Sequence, residues 1–308
     1  MNIETARLRT FLRSNAITGG LISWGWRHYL TALAEAVPDE CADIPKVPGA
    51  GGIYKGPDDR RYQLMHNGVK VLVNSYYGDL VTEIIRRFRG HHEPQEERVF
   101  HAALASLPGE IAMIELGSYW AYYSMWAQAA KRRVRSVLVE PVDSHMEIGK
   151  ANLELNGMSA EFVRAYIGAS SLPPHTVQME GTSLVGMERL CLDDLLARCG
   201  VPFAHIVHVD VQGAEVDMLR GSESAIREKR LGYIFLSTHS RKLHDECLDI
   251  LKRDFVILAE HTRAESYSTD GLIVARPQWF PGIDPLPISK RRTQNDVSIL
   301  LRYAFRRR

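Results

Sequence analysis

The chain has 308 residues, of which 45% are hydrophobic and 24% are charged, a composition typical of a folded globular protein. This composition excludes an intrinsically disordered chain, a collagen-like repeat and a small disulfide-stabilised scaffold. Lys and Arg total 38 against 37 Asp and Glu, so the net charge of +1 gives no electrostatic reason to expect nucleic acid as a partner.

The cysteine and hydrophobic patterns predict a cytoplasmic protein. The four cysteines are scattered and form no CxxC pair, which favours reduced thiols over disulfides or a zinc cluster. The first 20 residues carry charges and contain no continuous apolar run, so we expect no signal peptide. No apolar stretch approaches the ~20 residues that a membrane-spanning helix needs.

The N-terminal part is predicted to form a helical and hairpin extension over residues 1–91. Residues 1–36 mix basic and apolar positions as short helices do, whereas the prolines and glycines of residues 37–60 favour a loop. Residues 61–75 alternate around an Asn-Gly turn, which is a strong signal for a β-hairpin. Apolar residues at helical spacing predict two helices, near residues 80–88 and 99–107.

A different pattern begins at residue 110 and predicts an α/β domain over residues 92–277. Short continuous apolar runs alternate with helical stretches, which indicates strands buried on both faces in a mostly parallel sheet. These runs are residues 111–116, 136–139, 205–211 and 233–237. Two further strand-like runs, 254–260 and 271–277, are joined by too few residues for a crossover helix, so we expect an antiparallel hairpin.

Two shorter signals concern the ends of elements. Ser144 and Glu147 have the spacing of a capping box that opens a helix. After residue 277 several prolines and then a cluster of arginines follow, so we expect the fold to stop there and residues 278–308 to form a basic tail.

Two strand tips carry residues suited to a nucleotide-like cofactor. The first strand ends with Glu115 and Leu116 before Gly117, and a glycine there permits close approach of a ligand to the backbone. The second strand ends at Glu140 and Pro141, where a carboxylate can accept hydrogen bonds from a ribose diol. The GxGxxG fingerprint is absent, which disfavours NAD. The alternative is a solvated Glu140 and an ordinary turn glycine.

A third strand tip carries Asp210, followed by Gly213 and Ala214 before a predicted helix. A carboxylate at the carboxyl end of a central strand faces the ligand crevice of a doubly wound sheet. The alternative is that Asp210 only caps the helix.

These segments resemble the FkbM-type, S-adenosylmethionine-dependent methyltransferases. GSYWAYYS at 117–124 is similar to the family motif G-A-N-x-G-Y-Y-S, and VLVEP followed by Asn152 and Asn156 is similar to the second motif. HVDVQGAEVDMLRG at 208–221 resembles K-I-D-V-E-G-x-E-x-x-x-L-x-G, and CLDDL at 191–195 resembles the T-L-D-D-L before it. The resemblance covers roughly residues 92–276. It implies a Rossmann-like class I methyltransferase sheet with an antiparallel terminal hairpin.

The resemblance also implies roles for individual residues. Glu115, Gly117 and Ser118 would line the methionine part of the cofactor, and Glu140, followed by Pro141, would hold the ribose. The remaining assignments place Tyr166 and Ile167 beside the adenine and Asp210 near the sulfonium and the acceptor. The sequence departs from the family pattern at four of these motif positions, Tyr119, Ala121, His208 and Gln212.

The expected reaction is O-methylation of a hydroxyl of a sugar, a glycan or another small metabolite. His239 follows the fourth buried run and is predicted to lie beside Asp210, where an imidazole could act as a base. Two alternatives remain: Asp210 and His239 hold a divalent cation, or His239 is a structural residue. Weaker candidates for contact with the acceptor are Tyr77, His92, Glu93, Gln212, Glu215 and His261.

Two other classes of function stay open. One is a protein that binds S-adenosylmethionine without catalysis, which the altered glycine turn favours. The other is a module that binds a membrane or polyanion surface through the basic residues 290–308.

Overall fold

The computed structural model describes residues 39–56, 58–179, 182–268 and 270–291. The short helices predicted within residues 1–36 and the arginine cluster after residue 291 lie outside the described residues. The division of the chain at residue 91, and a basic tail beyond residue 291, stay predictions.

Strands and helices alternate through the described part of the chain, as the apolar runs predict. The strands are β1 (Ile53–Lys55), β2 (Arg61–Leu64), β3 (Lys70–Leu72), β4 (Glu110–Leu116), β5 (Arg133–Val139), β6 (Glu161–Val163), β7 (Ala165–Ile167), β8 (Leu172–Met179), β9 (Thr182–Leu190), β10 (Ala204–Val209), β11 (Leu231–Thr238), β12 (Phe255–His261) and β13 (Gly271–Pro277). The helices are α1 (Asp79–Arg87), α2 (Pro94–Ser106), α3 (Tyr122–Ala130), α4 (Asp143–Leu155), α5 (Leu192–Arg198), α6 (Glu215–Arg220), α7 (Glu223–Arg227) and α8 (Arg241–Leu251), with a short 3₁₀ helix at Arg263–Glu265.

The central sheet has seven strands in the order β12-β13-β11-β10-β4-β5-β6. The neighbours from β11 to β6 pair in parallel, whereas β13 pairs antiparallel with both β11 and β12. The predicted mostly parallel sheet with an antiparallel terminal hairpin is confirmed. The fold is a Rossmann-like α/β fold of the class I methyltransferase type.

The core lies on both faces of this sheet, because successive residues of a strand point to opposite sides. In β4, Met113 packs into a cluster with Phe100 and Trp126 of α2 and α3. The next residue, Ile114, packs into the opposite cluster with Val207 and Leu196. Continuous apolar runs are needed at these strands for this reason.

The predicted hairpin forms from β2 and β3, and β1 extends it into a three-stranded sheet. The strand β1 lies within residues 37–60, so the prediction of an unbroken loop there is wrong. Asn152 of α4 and Asn156, directly after that helix, attach the hairpin to the domain. Asn156 accepts from the backbone N–H of Lys70 at 2.8 Å and donates to its carbonyl at 2.7 Å, and Asn152 accepts from Leu72 N at 2.8 Å.

The second correction concerns residues 278–291, which stay on the fold. Phe280 is buried against Tyr233, whose hydroxyl accepts from the backbone N–H of Ile283 at 2.8 Å. Leu286 N donates to Leu258 O of β12 at 2.8 Å. An aromatic anchor and backbone hydrogen bonds hold the segment, although its prolines prevent regular secondary structure.

The third correction is the start of α4. The helix begins at Asp143 after Val142 and has no side-chain cap, so Ser144 and Glu147 do not form the predicted capping box. The carboxylate of Glu140 accepts from Val142 N at 3.0 Å instead. Within the described ranges, no helix is both long enough and apolar enough to span a bilayer.

Candidate active site

Four strand tips meet at one edge of the sheet, because parallel strands in register end together. Leu116 of β4 pairs with Val139 of β5 and with Val209 of β10, and Val209 pairs with Leu236 of β11. The residues that follow these strands are Gly117, Glu140, Asp210 and His239. The four strand ends from which the sequence predicts the site therefore lie side by side at this edge.

Gly117 is required by a contact within the protein. Its φ is +76°, and a Cβ added there would lie 1.9 Å from the carbonyl oxygen of Asp210. Asp210 N also donates to Leu116 O at 2.8 Å, so the loop after β4 lies directly on the end of β10. The sequence-based explanation, close approach of a cofactor, is not the contact that the structure shows.

Glu140 is buried and fixes the loop after β4. One carboxylate oxygen accepts from Tyr119 N at 3.0 Å, and the other accepts from Val142 N at 3.0 Å. The Tyr119 ring stacks on His145 with 3.8 Å between centroids, and His145 Nδ1 lies 3.5 Å from Glu140. Each carboxylate oxygen has a second lone pair, so Glu140 can still accept hydrogen bonds from a ribose diol.

Glu115, near the end of β4, and Ser118, in the loop that follows, are both buried. Glu115 accepts from Ser124 N at 3.0 Å near the start of α3, and burial raises the pKa of its carboxyl. Ser118 Oγ is buried and has no hydrogen-bond partner in the described part of the chain. The Ser118 hydroxyl, without a partner among the described residues, fits a polar group of S-adenosylmethionine. The Glu140 carboxylate fits a second one, because it retains free lone pairs.

The residues predicted to flank the adenine lie on β7, in the smaller sheet β7-β9-β8. The hydroxyl of Tyr166 is hydrogen-bonded to His175 Nε2 at 2.9 Å. Ile167 is buried in the hydrophobic core, whereas Pro141 is half-buried at the tip of β5. Their proposed contact with adenine stays a prediction.

Asp210, His239 and Glu215 form a compact cluster. His239 Nε2 lies 3.1 Å from Asp210 Oδ1, and the other ring nitrogen contacts the carboxylate of Glu215. Burial lowers the pKa of His239, but its contacts with the two carboxylates outweigh that effect and raise the pKa to about 10. His239 is therefore an imidazolium at neutral pH in this structure, and Glu215 orients its ring.

The alternative role as a metal site does not fit this cluster. Both nitrogens of His239 already face carboxylates, and Asp210 and His239 do not belong to a group of three convergent metal-capable side chains in the described residues. The group that does meet that spacing is His66, His91 and Glu97, which lies in the interior. We therefore derive no step through a metal at Asp210 and His239.

A small cleft of about 10 Å³ lies beside the cluster, between α2 and the ends of β11, β12 and β13. Glu93 and His261, two of the predicted acceptor contacts, line it. Glu96 and Asp270 also line it and were not identified from the sequence, and Asp270 Oδ1 lies 3.7 Å from His239 Nε2. These residues come from separate segments, so only the tertiary structure brings them together.

The other predicted acceptor contacts are not among the described residues that line this cleft. Gln212 lies 3.4 Å from Asp210, whereas Tyr77 is 58% exposed and makes an edge-to-face contact with Tyr76. His92 contacts Glu93: its Nε2 lies 3.1 Å from the Glu93 carboxylate. Burial lowers the pKa of His92, but neighbouring carboxylates raise it to about 10, with Glu93 the largest contributor.

Comparison with known proteins locates the similarity within the central sheet. Residues 110–257 match the family described as "Methyltransferase FkbM domain". No curated protein matches the chain at a significant level.

Three solved structures are similar over part of the chain. Precorrin-6Y C5,15-methyltransferase from Geobacter metallireducens is 14% identical over 59% of this chain and 88% of its own, with a TM-score of 0.39. Methyltransferase FkbM from Methylobacillus flagellatus is 15% identical over 63% of this chain and 52% of its own, with a TM-score of 0.42. TrmK from M. capricolum, in complex with S-adenosylhomocysteine, is 9% identical over 65% of this chain and 73% of its own, with a TM-score of 0.38.

The family match spans β4, β5, β10 and β11, the four strands whose tips form the site described above. The chain is therefore an S-adenosylmethionine-dependent methyltransferase in which residues 110–257 form an FkbM domain.

Proposed function

We propose that the protein transfers the methyl group of S-adenosylmethionine to a hydroxyl of a sugar, a glycan or another small metabolite. The observation that carries this proposal is the cluster of Asp210, His239 and Glu215 at the carboxyl edge of the sheet, directly beside the cleft. A hydroxyl must lose a proton as it is methylated, and this cluster can hold and move a proton.

The residues on the β5 side of the edge would hold the cofactor. Glu140 would accept the ribose hydroxyls with its remaining lone pairs, and Ser118 Oγ would gain a polar partner, which the described residues do not give it. When bound, S-adenosylmethionine supplies an electrophilic methyl group and a positive sulfonium charge. Because Asp210 is the carboxylate at the tip of the central strand, it would lie nearest to that charge.

His239 would act as the base only when the charge of Asp210 is balanced. In this structure the two carboxylates stabilise the imidazolium, so Nε2 has no lone pair to offer. A positive charge beside Asp210 weakens that stabilisation and lowers the pKa of His239. Nε2 then accepts the proton of the acceptor hydroxyl while Glu215 holds Nδ1, the arrangement in which a base is oriented by a third group.

The acidic lining of the cleft also bears on the partner. Glu93, Glu96 and Asp270 would repel the phosphates of a nucleic acid, so a small-molecule or glycan acceptor is the better partner. Surface binding through residues 290–308 has less support, because Lys290 already pairs with Glu260 at 2.8 Å and lies 3.5 Å from Glu265.

The test is a screen of sugars and small glycans with labelled S-adenosylmethionine, in which mass spectrometry detects the gain of one methyl group. We expect His239→Gln to lower kcat by about 100-fold, the contribution typical of a general base, with little change in the Kd of the cofactor. Full turnover by that variant would remove His239 from the mechanism. Cofactor binding without transfer to any acceptor would instead support the non-catalytic alternative.

A further inference from the structure

The N-terminal hairpin packs an aromatic side chain on the loop after β4. Tyr76, in the segment that follows β3, stacks on Trp120 with 4.4 Å between the ring centroids and 7° between the ring planes. It also makes an edge-to-face contact with Tyr119 at 5.1 Å. These two residues directly follow Gly117 and Ser118, which the family resemblance places beside the methionine part of the cofactor. Tyr76 therefore belongs to the same wall, although it precedes residue 110 and lies outside the family match.

Contacts on both sides hold Tyr76 in this position. At the start of its segment, Asn74 N donates to Thr82 Oγ1 of α1 at 3.2 Å, and that hydroxyl donates to Asn74 Oδ1 at 3.0 Å. On the other side the ring makes an edge-to-face contact with His92, just before α2, at 5.8 Å. Asn74 and Tyr77 have φ +65° and +46°, a left-handed conformation that persists in such residues where surrounding contacts hold it. Tyr76 thus bridges the loop after β4 and the segment before α2.

The hydroxyl of Tyr76 makes no hydrogen bond within the described residues. Burial raises the pKa of Tyr76 well above its usual value, and the charges of Glu93 and Asp210 raise it further. The hydroxyl is therefore protonated at neutral pH and lies in the field of both carboxylates. Ser118 Oγ, on the same wall, is buried and also has no partner in that part of the chain. Buried hydroxyls are normally hydrogen-bonded, so two without a partner on one wall indicate a polar ligand.

The amino-acid end of S-adenosylmethionine has the polar groups that this wall can bind. It carries one ammonium and one carboxylate. A tyrosine hydroxyl can accept one hydrogen bond and donate another, and the carboxylates of Glu93 and Asp210 favour a positive group beside it. The hydroxyl of Ser118 can donate to the carboxylate of the cofactor. The adenosine part offers no such pair of charges.

We propose that Tyr76 is a cofactor-binding residue whose hydroxyl accepts a hydrogen bond from the ammonium of S-adenosylmethionine. The stack on Trp120 sets the position of that hydroxyl. The N-terminal hairpin is therefore part of the cofactor site, which it closes from outside the FkbM domain. This inference concerns the methyl donor and does not depend on the nature of the acceptor.

The test compares two ligands that differ at the amino-acid end. S-adenosylhomocysteine carries that end, whereas methylthioadenosine keeps the adenosine and the sulfur and lacks it. Calorimetry on the full-length protein gives the Kd of each ligand for the wild type and for Tyr76→Phe, which keeps the ring on Trp120 and removes only the hydroxyl. The Kd of S-adenosylhomocysteine should rise about tenfold, as for the loss of one hydrogen bond to a charged group, and that of methylthioadenosine should not change.

The matched control is Tyr62→Phe, on β2 of the same hairpin. Tyr62 stacks on Tyr54 with 5.8 Å between centroids, so its variant removes a hydroxyl from the hairpin without changing the stack on Trp120. Both ligands should bind this variant as they bind the wild type. An unchanged Kd of S-adenosylhomocysteine in Tyr76→Phe would overturn the proposal. Equal weakening of both ligands would also overturn it, because the hydroxyl would then act on the whole site and not on the amino-acid end.

A second measurement needs no variant. In NMR spectra of the wild-type protein with labelled tyrosines, S-adenosylhomocysteine should shift the ring signals of Tyr76 saturably and further than methylthioadenosine does. Equal shifts with the two ligands would contradict the contact. Neither experiment uses an acceptor, so failure to methylate any hydroxyl would refute the proposed function without altering these expectations.

Discussion

Substitution of Gly117 by Ala tests the arrangement on which the site depends. The residue has φ +76°, and an alanine in this left-handed region costs about 1 kcal/mol. Its Cβ would lie 1.9 Å from Asp210 O, whereas real contacts of this kind stay above 3.0 Å. The loop or the end of β10 must therefore move by about 1 Å, which costs about 2 kcal/mol more.

The matched control is Gly200→Ala, at the turn that follows α5. Gly200 has φ +59° and no atom within 4 Å of an added Cβ, so only the conformational cost of about 1 kcal/mol applies. Urea unfolding should then show a loss of about 3 kcal/mol for Gly117→Ala and about 1 kcal/mol for the control. The thermal unfolding midpoints of the two variants should fall in the same ratio, by about 2–4 °C for each kcal/mol of lost stability.

Activity distinguishes the site from general stability. Because the displaced carbonyl belongs to Asp210, Gly117→Ala should lower kcat strongly at temperatures where the protein is still folded, and Gly200→Ala should not. Equal stability of the two variants would refute the role assigned to the contact between Gly117 and Asp210. Unchanged kcat in a folded Gly117→Ala protein would refute the dependence of catalysis on that contact.

Four further substitutions test other parts of the structure. Glu140→Gln should weaken S-adenosylmethionine binding by about tenfold in calorimetry, because a charge-assisted acceptor is lost; an unchanged Kd would contradict its assignment to the ribose. Asp210→Asn should lower the pKa of His239 from about 10 in an NMR titration, and an unchanged midpoint would exclude Asp210 as a cause. Since the raised pKa stabilises the folded protein below pH 6.5, the stability lost in His239→Gln should shrink as pH rises from 6.5 toward 10. Asn152→Ala should cost about 2 kcal/mol in urea unfolding, because Leu72 N and Trp120 O lose a buried partner; a neutral effect would exclude Asn152 from hairpin attachment.

The central sheet could be predicted because its strands carry a local signal. Apolar residues without interruption, as at 111–116 and 205–211, occur where both faces of a strand are covered. β10 and β11 are adjacent parallel strands, so both end at the same edge of the sheet. The proximity of Asp210 and His239, which follow these two strands, could therefore be predicted from the sequence. Their measured separation of 3.1 Å agrees with that expectation.

Strands without such a signal could not be predicted. β8 and β9 form a long antiparallel pair, but their residues alternate irregularly and many are exposed, as for Val185 at 71%. Residues 278–291 are held by tertiary contacts such as those of Phe280 with Phe203 and Tyr233. No local sequence pattern predicts these contacts. Propensity describes a segment in isolation, whereas these segments are fixed by what they contact.

The motif residues have structural roles that the sequence pattern alone does not reveal. Glu115 accepts from the backbone near the start of α3, and Asn152 and Asn156 attach the N-terminal hairpin. Gly117 allows the loop after β4 to lie on Asp210. Among these motif residues, Gly117 is the one whose contact fixes the position of Asp210, the proposed catalytic carboxylate.

The cleft proposed to receive the acceptor is built largely from outside the family match. Gly117, Glu140, Asp210 and His239 lie within residues 110–257, the segment that matches the FkbM domain. Lining residues of the cleft come from outside it: Glu93 and Glu96 precede the match, and His261 and Asp270 follow it. The family match therefore supports the methyl donor and the strand tips that face it, but it carries no information about these side chains. Acceptor specificity has to be measured on this chain, and the charge of its cleft is the property to vary first.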